Sequence, residues 1–278
     1  MMRLERISSA RNPKIKALLA LLEKSSRRRE EGLFVVEGRR ETERCLSAGF
    51  IPKTLFLCED IIGEAQMKSL ARQAGAANPE CNLILLDRYV YEKVAYREGT
   101  EGVIAEIIYK ERKLEDISLG KNPLIIVLEA VEKPGNLGAV LRSADAAGAD
   151  AVVICDPCTD LYNPNLIRAG VGAVFSRQLA SATSEETISW LKSRNIRIFT
   201  AQLQDSSLYY DTDMTGGTAL VMGAESSGLS ETWRKAADKH IRIPMLGGQD
   251  SLNVSVSAAI LMFEAVRQRN SPKPQKNA

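Results

Sequence analysis

Residues 123–148 read PLIIVLEAVEKPGNLGAVLRSADAAG, and the order of properties along them decides the fold. The run Leu124 to Leu128 is apolar on both faces of an extended chain, which suits a strand covered by helices on either side. A polar loop with Pro134 and Gly135 follows, and Leu137, Val140, Leu141, Ala144 and Ala147 then recur at helical spacing up to Gly148. Similar aliphatic runs return as AVVI (151–154), IRIFTA (196–201), TALVM (218–222) and Ile241 to Ile243. The expected fold class is therefore α/β, a parallel sheet sandwiched by helices. The stretch from Ser251 to Arg269 reads as its last helix, with Val256, Ala259, Ile260, Phe263 and Val266 on one face and Arg267 and Arg269 complementing the helix dipole.

Upstream, the shorter runs LFVVEG, KTLFLCED, NLILLD and GVIAEII alternate with helix-like stretches at 39–48 and 61–74, which points to a smaller α/β domain over residues 1–110. Residues 111–122, charged and ending before Pro123, read as a linker to a second domain at 123–270. The tail 271–278 has no core to join and is expected to be disordered. Two domains are also what 278 residues with 45% hydrophobic and 26% charged side chains lead one to expect.

The net charge of +2 hides an asymmetry. Residues 1–32 hold nine basic and four acidic side chains, a local +5 that leaves −3 for the other 246 residues. Ile15, Leu18, Leu19 and Leu22 make this segment an amphipathic helix whose basic groups form either a solvated face or a contact to RNA phosphates, through Arg11, Lys14, Arg27, Arg28 and Arg29. The first dozen residues lack the apolar stretch of a secretory leader, and no run is long enough to span a membrane. Five cysteines, an odd number beside apolar runs, suit reduced thiols, and a cytoplasmic location is the expectation.

Three polar, glycine-rich loops follow buried strands: EAVEKPGN after 124–128, GAESSG after 219–222, and PMLGGQDSLN after 241–243. Strands of a parallel sheet end on one edge, so the loops should converge on one crevice. Asn136 is read as the N-cap of the helix that follows it. Arg142 falls opposite that helix's apolar stripe, with Gly138 one turn before it on the same side; it is either paired with Asp145 or left for a ligand. Ala224-Glu225-Ser226-Ser227-Gly228 imitates a nucleophile elbow, but the chain has one histidine, His240, and a structural role suits it better than a triad. Cys155 and Cys158 resemble a redox pair without the second pair that zinc would need. Neither a dinucleotide fingerprint nor a phosphate-binding Gly-Lys-Ser/Thr is present, and no cluster offers metal ligands. What remains is equipment for orienting a polar substrate against a cofactor that is itself the reactive group.

Together the three loops resemble the motifs of the SpoU (TrmH) family of RNA 2′-O-ribose methyltransferases, in the SPOUT superfamily: Asn136-Leu-Gly138-Ala-Val-Leu-Arg142 on to Gly148, Leu220-Val-Met-Gly223-Ala-Glu225-Ser-Ser-Gly228, and Ile243-Pro-Met with Ser251-Leu252-Asn253-Val-Ser255. The resemblance implies a deep trefoil knot in the second domain and S-adenosylmethionine bound there, with Gly223, Ile243, Leu252, Met222 and Ala201 around the cofactor. It implies that Arg142 is required for catalysis, with Asn136, Glu225, Ser251 and Asn253 orienting it and the ribose, and that no metal takes part. It further implies a homodimer with the last helix at its interface, an RNA-binding first domain similar to ribosomal proteins, and 23S ribosomal RNA as substrate. A tRNA substrate and a non-catalytic RNA-binding module are the alternatives. The stretch AGVGAVF (169–175) departs from the family, where serine often stands in place of Gly170 or Val171, and the departure touches a substrate-facing loop.

Overall fold

The computed structural model describes residues 4–95, 101–176 and 178–271; of the expected disordered tail all but Ser271 lies outside them. In chain order the elements are β1 (Leu4–Ile7), α1 (Pro13–Glu23), α2 (Ser25–Glu31), β2 (Leu33–Glu37), α3 (Arg39–Ser47), β3 (Pro52–Leu57), α4 (Glu59–Ile62), α5 (Glu64–Ala77), β4 (Asn82–Leu86), α6 (Arg88–Val94) and β5 (Val103–Ile108). They continue with β6 (Leu124–Glu129), α7 (Pro134–Ala147), β7 (Ala151–Cys155), α8 (Pro164–Ala169), α9 (Ala173–Ser176), β8 (Gln178–Ala182), α10 (Ser184–Lys192), β9 (Arg197–Ala201), β10 (Ser207–Leu208), β11 (Thr218–Met222), α11 (Glu231–Ala236), β12 (Lys239–Arg242) and α12 (Val254–Asn270). Two compact units result: Met1–Glu111 with Asp160–Ser176, and Arg112–Thr159 with Arg177–Ala278. The sequence reading had placed 160–176 wholly in the second domain.

The first unit is built on a five-stranded sheet of order β1-β4-β3-β5-β2, with β1, β4 and β3 parallel and β5 antiparallel to both β3 and β2. Ile15, Leu18 and Leu21 of α1 enter its core beside Ile7, Val35, Phe56 and Ile84. α1 starts where Asn12 accepts the Lys14 N–H at 2.9 Å and Pro13 presets the first turn. The single basic helix read from the sequence is two helices, because Lys24 is extended (φ −115°, ψ 115°).

That break turns Arg28 inward. Its side chain is 2% exposed; Nε donates to Asp160 Oδ2 at 2.5 Å, and Nη1 donates to the carbonyls of Leu21 (2.5 Å) and Leu22 (3.2 Å) at the end of α1. Arg28 therefore leaves the set of expected RNA contacts: its charge is spent on a buried carboxylate and on helix-end carbonyls that lack intrahelical partners. Arg27 pairs with Glu30 and Glu31, Lys14 pairs with Glu5, and Arg11 and Arg29 are exposed.

The segment carrying Asp160 folds into this unit through aromatic contacts. Tyr162 stacks on Phe34 with ring centroids 4.1 Å apart, and Phe175 meets Phe50 edge-on at 5.2 Å. The Tyr162 hydroxyl donates to the Lys110 carbonyl at 2.8 Å, and Arg44 Nη1 donates to the Val171 carbonyl at 2.6 Å. Val171 sits at φ +50°, a left-handed conformation that a β-branched residue adopts under strain.

The second unit holds a seven-stranded, all-parallel sheet of order β10-β12-β9-β11-β6-β7-β8. Every residue of β6, β7 and β11 is buried, as runs apolar on both faces require. Ile125, Val127, Val153, Ile198 and Val221 pack with Leu191 of α10 and Trp233 of α11, while α12 packs on α7 and β11.

Two sequence expectations about helices change. α7 begins at Pro134, with Lys133 as its cap, so Asn136 stands inside the first turn; Gly138 is buried instead of sharing an open face with Arg142. α12 buries Val254, Ala258, Leu261, Met262 and Ala265, whereas Val256 and Phe263, of the stripe read as shared, are 46% and 48% exposed. No helix among the described residues is long and apolar enough to cross a membrane.

Candidate active site

The C-terminal ends of β9, β11 and β12 open onto a cavity of about 510 Å³. Ala201, Met222, Gly223, Ile243 and Leu252 border it, and so do Glu225, Ser251 and Asn253. Asn136 joins the three loops: its Nδ2 donates to Glu225 Oε1, and its Oδ1 accepts from Asn253 Nδ2 at 3.3 Å. Asn253 Oδ1 in turn accepts from the Ser255 N–H (2.9 Å) and hydroxyl (2.6 Å), which caps α12 and fixes the amide's direction. Had Asn136 been the cap of α7, its oxygen would have been turned to that helix and lost to Asn253.

Gly223 is demanded by the loop itself. A Cβ there would lie 2.3 Å from the carbonyl carbon and oxygen of Gly228 and 2.5 Å from the Leu229 nitrogen. The loop doubles back tightly, its Gly228 N–H donating to the Ala224 carbonyl at 2.9 Å, with Gly228 at φ +67°. From beneath, Glu129 at the end of β6 accepts the Ser230 N–H at 2.8 Å, while Ser184 Oγ donates to Asp156 at 2.6 Å and accepts from Trp233 Nε1 at 2.8 Å. Glu129 is buried, and the sequence reading had treated it only as the start of a loop.

Arg142 is not brought to this cavity. It is exposed on α7 and makes no hydrogen bond or ion pair with the described residues, so the Asp145 pairing is not formed through it. Ser226 is exposed and does not border the cavity, and His240 Nδ1 lies 2.6 Å from Thr200 Oγ1, which removes the elements of a serine triad. Burial pushes the Cys155 thiol up to about 12, opposite to what a redox cysteine needs, and its Sγ lies 3.2 Å from Thr187 Oγ1. No group of three or more His, Cys, Asp or Glu among the described residues could hold a metal.

The sequence matches the SpoU rRNA Methylase family over residues 123–263. The chain belongs to this family. Residues 12–105 match the MRM3-like substrate binding domain. A 23S rRNA (uridine(2479)-2′-O)-methyltransferase of Streptomyces viridochromogenes is 29% identical over 95% of this chain and 92% of its own length. The 23S rRNA (guanosine-2′-O-)-methyltransferase RlmB of Escherichia coli is 39% identical over 61% of this chain and 72% of its own. Among solved structures, the AdoMet-bound rRNA methyltransferase of Sinorhizobium meliloti superposes with a TM-score of 0.87 at 28% identity, covering 97% of this chain and 99% of that one.

Proposed function

We propose that this SpoU methylase transfers the methyl group of S-adenosylmethionine to a ribose 2′-hydroxyl of 23S ribosomal RNA. The observation that carries this reading is the Glu225–Asn136–Asn253 chain of hydrogen bonds, which ties together three motif loops at the mouth of a single cavity. The cavity suits the cofactor: about 510 Å³ lies in the range of small-molecule sites, and atoms in its wall lack partners that a ligand would supply. Ala201, Met222, Gly223, Ile243 and Leu252 would hold it, and when bound it supplies an electrophilic methyl group on a sulfonium.

The protein's own task is alignment and proton removal. Asn136, Asn253 and Ser251 orient the ribose at the cavity mouth, with Glu225 fixing the Asn136 amide. Arg142 sets the hydroxyl up for loss of its proton to a neighbouring RNA phosphate, since a guanidinium ordinarily keeps its own proton up to pH ~12. The enzyme works as a homodimer in the cytoplasm. A second copy covers the exposed Val256 and Phe263 of α12 and with them the adjoining α7 that carries Arg142. The segment between β11 and α12 forms the family's trefoil knot. The exposed basic residues Arg11, Lys14, Arg27 and Arg29 contact RNA phosphates.

The test is methyl transfer from labelled S-adenosylmethionine to 23S rRNA and, separately, to tRNA, with mapping of the 2′-O-methyl site. Transfer to rRNA, reduced at least 100-fold in Arg142→Ala, is expected. No transfer to either RNA overturns the reading, and an unimpaired Arg142→Ala overturns the role given to that residue.

A further inference from the structure

Two polar atoms belonging to residues in the cavity wall are shielded from solvent and have no hydrogen-bond partner among the described residues. They are Oε1 of Gln202, just after β9, and Nε of Arg234, on α11. The Gln202 amide is held from its other side, because Nε2 donates to the Gln204 carbonyl at 2.9 Å, and its backbone N–H donates to the Ile241 carbonyl at 3.0 Å. Its oxygen is thus a fixed acceptor left open. Arg234 makes no ion pair with a described residue, while the neighbouring Trp233 is fully buried and anchors that turn of α11. Glu225, a carboxylate of the same wall, is engaged by Asn136.

A shielded acceptor and the shielded Nε–H of a half-buried guanidinium, both without a partner among the described residues, are costly to fold and are satisfied by a ligand that brings the opposite groups. A guanidinium whose Nε–H lacks a partner favours an anion, and a fixed amide oxygen calls for an N–H or O–H donor. An α-amino acid zwitterion carries both on one carbon. We infer that Gln202 and Arg234 bind the amino-acid end of S-adenosylmethionine, the ammonium at Gln202 Oε1 and the carboxylate at the Arg234 guanidinium. The inference rests on the reading that this cavity holds that cofactor. The edge of an adenine ring also offers an acceptor beside a donor, but it brings no negative charge to the guanidinium.

Calorimetric titration of the full chain with S-adenosylhomocysteine and with 5′-methylthioadenosine separates these cases, since the second ligand keeps the adenosine and thioether and lacks the amino-acid end. The wild type binds the first at least 10-fold more tightly. Arg234→Met weakens S-adenosylhomocysteine about 10- to 100-fold, the range for a charge-assisted hydrogen bond, and Gln202→Met weakens it about 10-fold. Both variants keep wild-type affinity for methylthioadenosine, which also shows that the cavity is folded. Equal losses for the two ligands would overturn the assignment in favour of an adenine contact. Unchanged S-adenosylhomocysteine binding with weakened RNA binding would overturn it in favour of an RNA phosphate. A wild-type protein that binds neither ligand refutes the cofactor reading itself.

Discussion

Replacing Arg28 by methionine separates a structural charge from an RNA-binding one. The substitution keeps an unbranched apolar stem but removes the partner of Asp160, whose side chain is only 8% exposed, together with donors to the Leu21 and Leu22 carbonyls. Breaking a buried ion pair from one side costs about 3–5 kcal/mol, because the remaining carboxylate is left desolvated without its counter-charge, Asp160 keeping only the Tyr162 N–H at 2.9 Å. For a unit of about 130 residues, each kcal/mol lowers the melting temperature by roughly 3–5 °C, so the first unit should melt roughly 10–20 °C earlier. The double variant Arg28→Met with Asp160→Leu should recover most of the loss, since an apolar pair of similar volume often replaces a buried ion pair without penalty. Melting followed by circular dichroism, beside RNA binding over a salt series, checks this. An Arg28→Met protein that melts within 2 °C of the wild type and binds RNA with a shallower salt dependence refutes the structural assignment.

Two further substitutions probe the cavity loop and the first unit. Gly223→Ala places a methyl 2.3 Å from the Gly228 carbonyl and should cost about 1–3 kcal/mol through displacement of the 223–229 loop. The expected readouts are a lower melting temperature and weaker S-adenosylhomocysteine binding, and a variant normal in both contradicts the backbone clash. Glu106, on β5, is buried, and desolvation raises its carboxyl above the ordinary carboxylate range, partly offset by a hydrogen bond from Thr54. A raised folded-state pKa stabilises below the unfolded value, near pH ~4.3, and that contribution is lost as pH climbs through the folded value. Glu106→Gln should therefore gain stability over the wild type at pH 7 and lose the advantage towards pH 4 in urea unfolding; a difference that does not vary with pH would count against it.

How far the sequence was legible follows from the range of each signal. β6, β7 and β11 were plain because both of their faces are apolar, and the loops that follow strands had to share an edge once those strands were parallel. That logic brought together the loops that carry Asn136, Glu225 and Asn253, although 89 and 117 residues separate Asn136 from its two hydrogen-bond partners. β8 was missed because QLASA is short and half polar, and β1 because LERI sits in a run of charges. On α12 periodicity could not tell inward from outward, since apolar residues occupy nearly the whole circumference and only packing against α7 selects Ala258, Leu261 and Ala265. Arg28 looked like any member of a basic run, because the carboxylate that buries it is 132 residues away. Gln202 and Arg234 belong to no pattern at all; only unmet hydrogen-bonding capacity inside a cavity draws attention to them.

The return of Asp160–Ser176 to the first unit has a consequence for synthesis on the ribosome. A chain emerging from its N-terminus exposes all five strands of the first sheet by Ile108, yet the carboxylate for Arg28 and the rings that stack against Phe34 and Phe50 arrive only after β6, α7 and β7 have been made. Until then the nascent unit carries a naked buried cation and an open aromatic face. Its completion waits until β6 and β7, two of the seven strands of the second sheet, have been made, so the first unit does not mature as an independent fragment in order of synthesis.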